Sequence, residues 1–373
     1  MESDLIKIND WLKPLSWLYG LGVGVRNALF DLGVLSSQSY DIPIINVGNI
    51  TVGGTGKTPH VEYLIRILSK QYRTAVLSRG YKRRTKGYIL ASTDSTTDQI
   101  GDEPWLIKQK FPDVYVAVDG NRRRGINRLC NDAETKDVEV ILLDDAYQHR
   151  YVRPGINMLL VDYHRMITDD WLLPAGRLRE PVSSKKRADM VIVTKCPPDI
   201  RPMGFRVIQR ALELKPHQRL FFSTLHYAPL CGVFSEKEKL IENLRSEGQH
   251  VLLLTGIGNP EQMEQDLRRY ADNVTHLSFP DHHYFTAKDI RHINEVFQQI
   301  PSPRIIIATE KDVTRLISLE GLSEEVRQQA YVLPIKIEIM RKENTIFNEK
   351  ITGYVLKNSR NSILAKRKNA STS

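Results

Sequence analysis

The run from Asn46 to Pro59, Asn-Val-Gly-Asn-Ile-Thr-Val-Gly-Gly-Thr-Gly-Lys-Thr-Pro, leaves few folds open to the chain that carries it. An apolar stretch, Ile42 to Val47, precedes it, and a segment of helical character, His60 to Gln71, follows. Strand, glycine loop and helix in that order make a phosphate cradle. Backbone N–H groups curl around the anion, and the helix N-terminus points at it. Lys57 would reach the outer phosphates, and the Thr58 hydroxyl would sit on Mg²⁺. Pro59 suits the first helical turn, where its missing N–H costs nothing. In the pattern G-x-x-x-x-G-K-[ST] the first glycine falls on Thr51. A nucleoside triphosphate is the expected ligand.

A chain of 373 residues with 41% hydrophobic and 26% charged content has room for two globular domains. The net charge of +9 points to an acidic partner: nucleic acid, anionic lipid or a phosphorylated substrate. Part of that charge is local, at Arg79, Lys82, Arg83, Arg84 and Lys86 and at Arg122 to Arg124. Cys130, Cys196 and Cys231 have no metal or redox spacing and read as reduced core thiols. No signal peptide is expected. Residues 11–35 are unusual nonetheless. Trp11, Leu15, Leu18, Val25, Leu29 and Leu32 fall on one helical face, and Trp17, Tyr19 and Phe30 add aromatic bulk. The uncharged run from Pro14 to Val25 is too short to span a bilayer. Periodicity leaves two readings open: a helix lying in a membrane interface, or one packed on the protein's own core.

Further along, apolar runs alternate with helical segments. Strands are expected at 43–48, 73–78, 113–118, 138–144, 157–162 and 189–194, with helices near 59–71, 101–110 and 122–130. That alternation predicts a mostly parallel sheet with helices on both faces. Leu220 to Tyr227 reads as an extended linker. A second, smaller α/β pattern follows, and its final strand spans about 331–339. From Lys357 the chain is basic and polar and is expected to be disordered.

Asp144 and Asp145 end a buried strand, and two acids that close repel unless a cation sits between them. They are candidate metal ligands. A kinase also needs a group to take the acceptor's proton. Asp102, Asp119, Asp281, His282 and His283 all lie in loops, and residue type does not rank them. Arginines 79, 122–124, 177 and 179 are candidates for neutralising phosphate charge. Thr194-Lys195-Cys196 resembles the base-reading motif of GTPases loosely, without the Asp. A soluble GTPase or ATPase switch and a nucleic-acid-binding protein are therefore weaker readings.

Taken in order, further motifs join the glycine loop: Leu77-Ser-Arg-Gly-Tyr81, Gly101-Asp-Glu-Pro104, Asp119-Gly-Asn-Arg122, Leu143-Asp-Asp-Ala-Tyr-Gln-His-Arg150, Leu173-Pro-Ala-Gly-Arg-Leu-Arg-Glu-Pro181, Gly256-Ile-Gly-Asn-Pro260, Phe279-Pro-Asp-His-His283 and Thr309-Glu-Lys-Asp312. The set resembles the tetraacyldisaccharide 4′-kinase family over about residues 10–340. The resemblance implies an α/β fold: a P-loop NTPase-like core with a mostly parallel sheet flanked by helices, and a smaller α/β domain joined by a β-strand linker. It implies an interfacial helix region at 1–36, a core at 37–218, the smaller domain at 219–356 and a basic tail at 357–373. It implies transfer of the ATP γ-phosphate, with Mg²⁺, to the 4′-hydroxyl of a tetraacyldisaccharide 1-phosphate, giving lipid IVA in lipid A biosynthesis.

The site residues follow from the same resemblance. Thr51, Val52, Gly53, Gly54, Thr55, Gly56, Lys57 and Thr58 would bind ATP, and the family tolerates a non-glycine at position 51. Asp102 matches the general base and His282 the histidine paired with it. Thr58, Asp144 and Asp145 would hold the metal. Ser78, Arg79, Gly80 and Tyr81, with Asn121, Arg122 and Arg177, would contact the substrate. The expected partners are the acylated disaccharide 1-phosphate and the cytoplasmic face of the bacterial inner membrane, bound peripherally. Neither nucleic acid nor an obligate protein partner is expected.

Overall fold

The apolar runs become strands, and the strands divide between two compact units. The computed structural model describes residues 8–256, 260–280, 283, 285–317 and 320–370, with the backbone alone for 262 and 360–370. The first unit comprises the chain up to Leu225 and again from Ile337, and the second runs from His226 to Lys336. Strands β1 (Ile44–Gly48), β2 (Thr74–Ser78), β3 (Ile89–Leu90), β4 (Tyr115–Val118), β5 (Val140–Asp144), β6 (Ile156–Asp162), β7 (Met190–Thr194) and β8 (Arg219–Tyr227) arise in order. The second unit supplies β9 (Leu230–Gly232), β10 (Glu238–Lys239), β11 (His250–Thr255), β12 (Asn273–Ser278), β13 (Arg304–Ala308) and β14 (Ala330–Val332), and β15 (Ile335–Ile339) follows.

In the first unit the order is β15-β8-β7-β6-β1-β5-β2-β4-β3. From β8 to β4 every pair is parallel, and β3 is antiparallel to β4. β1, β2, β5 and β7 are buried along their whole length, as a sheet covered on both faces requires. β1 lies between β5 and β6, so the glycine loop, Ser78, Asp144 and Thr194 leave the same edge of the sheet. The carboxyl edge of such a sheet is where ligands bind.

Two expectations are corrected here. The strand expected over 331–339 is two strands, one per sheet, because Pro334 between them has no N–H to donate. The tail expected to be disordered from Lys357 begins inside a helix, Asn344–Ala370. That helix belongs to the first unit, which ends the second unit before the expected 356. Phe347, Ile351 and Val355, spaced by four, are buried in the first unit's core beneath it. The Ile44 N–H donates to the Tyr354 hydroxyl at 3.2 Å, and a Cβ on Gly155 would collide with Tyr354.

The N-terminal helix, α1 (Lys13–Asp31), docks by a face of small and polar residues together with Phe30. Its buried residues are Ser16, Asn27 and Phe30. The Ser16 hydroxyl donates to the Leu172 carbonyl at 2.9 Å and accepts from the Ala175 N–H at 2.9 Å. A Cβ on Gly20 would sit 2.7 Å from Leu172 Cδ1. The apolar face points outward: Trp11 is 93% exposed, Trp17 72% and Leu18 67%, with Leu15, Leu21, Val25 and Leu32 exposed beside them. Of the two readings periodicity left open, packing of this stripe on the protein's own core is the one the coordinates contradict. Among the described residues no helix is long and apolar enough to cross a membrane.

Candidate active site

The glycine loop leaves β1 and turns into α2 (Lys57–Leu68) through two glycines with left-handed backbone, Gly53 (φ 117°) and Gly56 (φ 81°). Those angles are strained for any residue with a Cβ. The loop is held from below. The Asn49 side chain donates to the Thr55 hydroxyl at 2.8 Å and to the Thr51 hydroxyl at 3.3 Å. Thr51 also bridges to Leu178, so the Leu173–Pro181 stretch lies along the loop like an extra strand. The Val52 N–H donates to the Arg177 carbonyl and the Arg179 N–H to the Ile50 carbonyl, both at 2.7 Å. Val52 and Thr55 have thus spent their N–H groups on carbonyls, Thr55 on that of Gly53 at 3.1 Å. Gly56, Lys57 and Thr58 lie where α2 begins, and the first N–H groups of a helix have no acceptor within it. Arg177 adds charge, its Nη1 4.0 Å from where a Cβ on Gly53 would be.

Asp144 and Asp145 end β5 beside this loop and have different environments. Lys57 Nζ is 3.8 Å from Asp145 Oδ1, and Arg179 Nη1 is 3.2 Å from Asp145 Oδ2. Burial alone would raise the Asp145 pKa, but these two cations and Arg122 outweigh it and hold it below the usual carboxylate range. Asp144 is buried, accepts from the Ser78 hydroxyl at 3.1 Å, and has Oδ1 without a partner. Burial first, then Glu103 and Asp145, push its carboxyl up to about 7 against the pull of Lys57 and Arg122. Arg122, buried at the start of α3 (Arg122–Asn131), donates to the Asp119 carbonyl at 2.7 Å and the Asp144 carbonyl at 3.1 Å. Burial, opposed by Asp144 and Asp145, brings its guanidinium down to about 10.

The raised Asp144 has a consequence for stability. The folded protein binds this proton more tightly than the unfolded chain, whose value lies near 3.8. The contribution is complete below about pH 4 and is lost as pH rises through about 7. Nucleotide-free Asp144→Asn should therefore melt about 2–4 °C above wild type at pH 8. The gap should narrow at pH 5, where the folded wild-type carboxyl is protonated, and close only below about pH 4, where the unfolded chain is protonated too. Equal gaps at both pH values in a thermal unfolding series would refute the assignment.

Asp102 reaches this edge through a contact between two glycines. Gly80 (φ 67°) and Gly101 (φ 90°) lie against each other: a Cβ on Gly80 would fall 2.8 Å from the Ile100 carbonyl, and one on Gly101 3.0 Å from the Tyr81 carbonyl. The Gly-Asp-Glu-Pro turn, which opens the helix Asp102–Lys110, thus packs directly on the Ser78–Tyr81 turn, whose Ser78 holds Asp144. Asp102 lies half-buried at the first position of that helix, where the dipole favours negative charge. Glu103 follows it, and its charge acts on Asp144; residue type and spacing had not singled it out.

Other candidates have structural duties. Asp119 is fully buried, and Arg124 grips it through two bonds of 2.7 and 2.8 Å. Asn121 caps α3, accepting from the Arg124 N–H at 3.2 Å. His283 Nε2 is 3.0 Å from Asp289 Oδ2, and its ring stacks on Phe279. Asp281 and His282 lie outside the described residues. Arg79 and Tyr81 are exposed at the end of β2. Cys130, Cys196 and Cys231 are free thiols.

Comparison with known proteins follows the same lines. The profile of the family described as Tetraacyldisaccharide-1-P 4′-kinase matches residues 8–354. A tetraacyldisaccharide 4′-kinase of Phocaeicola vulgatus is 53% identical over 363 residues, 97% of this chain and 99% of that one. One from Bacteroides fragilis is 51% identical over 375 residues, 99% of each. Among solved structures, LpxK from Aquifex aeolicus in complex with ATP superimposes with a TM-score of 0.71 at 28% identity, covering 92% of this chain and 98% of that one.

Proposed function

The chain belongs to the tetraacyldisaccharide-1-phosphate 4′-kinase family, and from that premise we propose how its residues divide the reaction. It is a phosphotransferase that moves the γ-phosphate of ATP to the 4′-hydroxyl of a tetraacyldisaccharide 1-phosphate, a step of lipid A biosynthesis. The glycine loop binds the ATP phosphates through the N–H groups of Gly56, Lys57 and Thr58 and the Lys57 ammonium. The 4′-oxygen attacks the γ-phosphorus as the bond to the bridging oxygen of ADP breaks, and Asp102 takes the hydroxyl proton. His282 is the histidine that the family resemblance pairs with this base. Lys57, Arg122 and Arg177 stabilise charge on the transferring group. The observation that carries this division is the Gly80–Gly101 contact, which packs the Asp102 turn against the Ser78 turn and its Asp144 partner.

The residues fit a magnesium ion. Asp144 carries a buried oxygen with no partner, next to a second carboxylate that Lys57 and Arg179 already neutralise. Asp144 and the Thr58 hydroxyl would hold the ion, with Asp145 beside them. Bound Mg²⁺ would neutralise charge on the β- and γ-phosphates. Among the described residues no three His, Cys, Asp or Glu side chains gather into a metal cage, and Mg²⁺ on a nucleotide needs none.

The outward apolar face of α1 lies in the membrane interface. ATP is a cytoplasmic reagent, so that membrane is the inner one and the face its cytoplasmic side. The helix touches the catalytic frame directly: the Tyr19 hydroxyl donates to the Arg179 carbonyl at 2.8 Å, and Arg26 donates to the Gln148 carbonyl at 2.9 Å. Acceptor drawn from the bilayer therefore arrives beside the phosphate loop. Trp11→Ser, Trp17→Ser and Leu18→Ser combined should weaken binding to anionic vesicles by about tenfold or more, with melting temperature and ATP affinity unchanged. Unaltered co-sedimentation with vesicles would remove the interfacial role.

The deciding experiment is transfer of labelled γ-phosphate from ATP, with Mg²⁺, to a monophosphorylated tetraacyl disaccharide in detergent. The expected product carries a second phosphate at the 4′ position. Folded protein yielding no such product would overturn the reading.

A further inference from the structure

We propose that His60, a residue of α2 placed to touch no substrate, is a positioning residue for the nucleotide: its ring ties the Gly56 carbonyl to Ser223 and so sets the direction of the loop's N–H groups. The inference rests on the reading that this loop holds the ATP phosphates. His60 is 2% exposed, with Nδ1 2.7 Å from the Gly56 carbonyl and Nε2 3.0 Å from the Ser223 hydroxyl. A carbonyl can only accept, so Nδ1 carries the proton and Nε2 accepts from the Ser223 O–H. One residue earlier, the Thr194 hydroxyl at the end of β7 donates to the Thr55 carbonyl at 3.0 Å.

Two successive carbonyls are therefore tied inward by the sheet beneath. In a trans peptide the C=O of one residue and the N–H of the next point in opposite directions. Fixing Thr55 and Gly56 carbonyls inward points the Gly56 and Lys57 N–H groups outward, and these head the phosphate donors. Gly56 has its φ at 81°, and a Cβ there would meet the His60 ring at 3.6 Å, so ring and glycine are packed as one unit. The Thr194-Lys195 pair, which resembled a base-reading motif, contributes its threonine to this clamp.

The test uses three substitutions of His60 and one of Ser223 in the full chain. His60→Asn keeps an N–H in the place of Nδ1, His60→Gln moves the amide to the place of Nε2, and His60→Leu keeps bulk with neither. ATP affinity is measured by equilibrium binding without acceptor, alongside KM for ATP, KM for the lipid acceptor and melting temperature. His60→Asn should bind ATP within about threefold of wild type, and His60→Gln and His60→Leu should bind about tenfold or more weakly. Acceptor KM should not move. Ser223→Ala, which removes only the outer bond, should fall between. Should the Gln and Leu proteins not fold, His60→Asn and Ser223→Ala decide alone. The inference is overturned if His60→Asn loses ATP as badly as His60→Leu, if every variant binds ATP like wild type, or if acceptor KM rises in parallel. Wild type that binds ATP but transfers nothing to the acceptor would sink the proposed function and leave this series readable.

Discussion

Asp102→Ala should lower turnover by about 10²–10⁴-fold while ATP affinity stays within about threefold of wild type. The split follows from position. Asp102 opens its own helix on the Ser78–Tyr81 turn, and the phosphate loop is held separately by Asn49, His60, Thr194 and the Leu173–Pro181 stretch. Under the proposed division of roles, removing the carboxylate takes away the proton acceptor and leaves the cradle. Single-turnover rates with nucleotide binding measured in parallel check it. Unchanged turnover would remove the base assignment. Parallel loss of ATP binding would show a structural role for Asp102.

The second large effect belongs to Lys57. Lys57→Ala should reduce turnover by about 10²–10³-fold, the scale of losing one charged donor to a transition state. It should also move the acid limb of the pH–rate profile upward. Lys57 lies 3.8 Å from Asp145 and lowers the pKa of both Asp145 and Asp144. Without it both carboxylates hold their protons to higher pH, and a protonated Asp144 is a poor magnesium ligand. Lys57→Arg should not restore the rate, since a planar fork does not replace a compact ammonium at the end of a glycine loop. A rate loss with an unmoved acid limb would show that Lys57 does not tune the aspartates.

The phosphate loop was readable because its chemistry is local: glycines, lysine and threonine need only a strand before them and a helix after. The Asp pair at 144–145 was readable for the same reason, as the end of an apolar run. Which acid does what was readable only through the family resemblance, and not from residue type or spacing. Asp102 and Asp119 are both acids following an ordered element, and only the fold gives Asp119 to Arg124 and leaves Asp102 at the sheet edge. His60 looked like one more helical residue. Its function depends on Ser223, which is distant in sequence and comes from β8.

The spacing of residues was enough to specify the phosphate loop, the parallel sheet and the nucleotide, because hydrogen bonding and apolar periodicity act over a few residues. Assigning direction took tertiary contacts. The stripe on α1 has the same period whether it faces a core or a bilayer, and it is Ser16, Gly20 and Asn27 docking inward that turns Trp11 and Trp17 out. The two aspartates at the end of β5 are chemically alike in the chain. Lys57 and Arg179, brought together by folding, neutralise one and leave the other buried with an open oxygen. Electrostatic identity is set by neighbours in space, and most of those neighbours are far away along the chain.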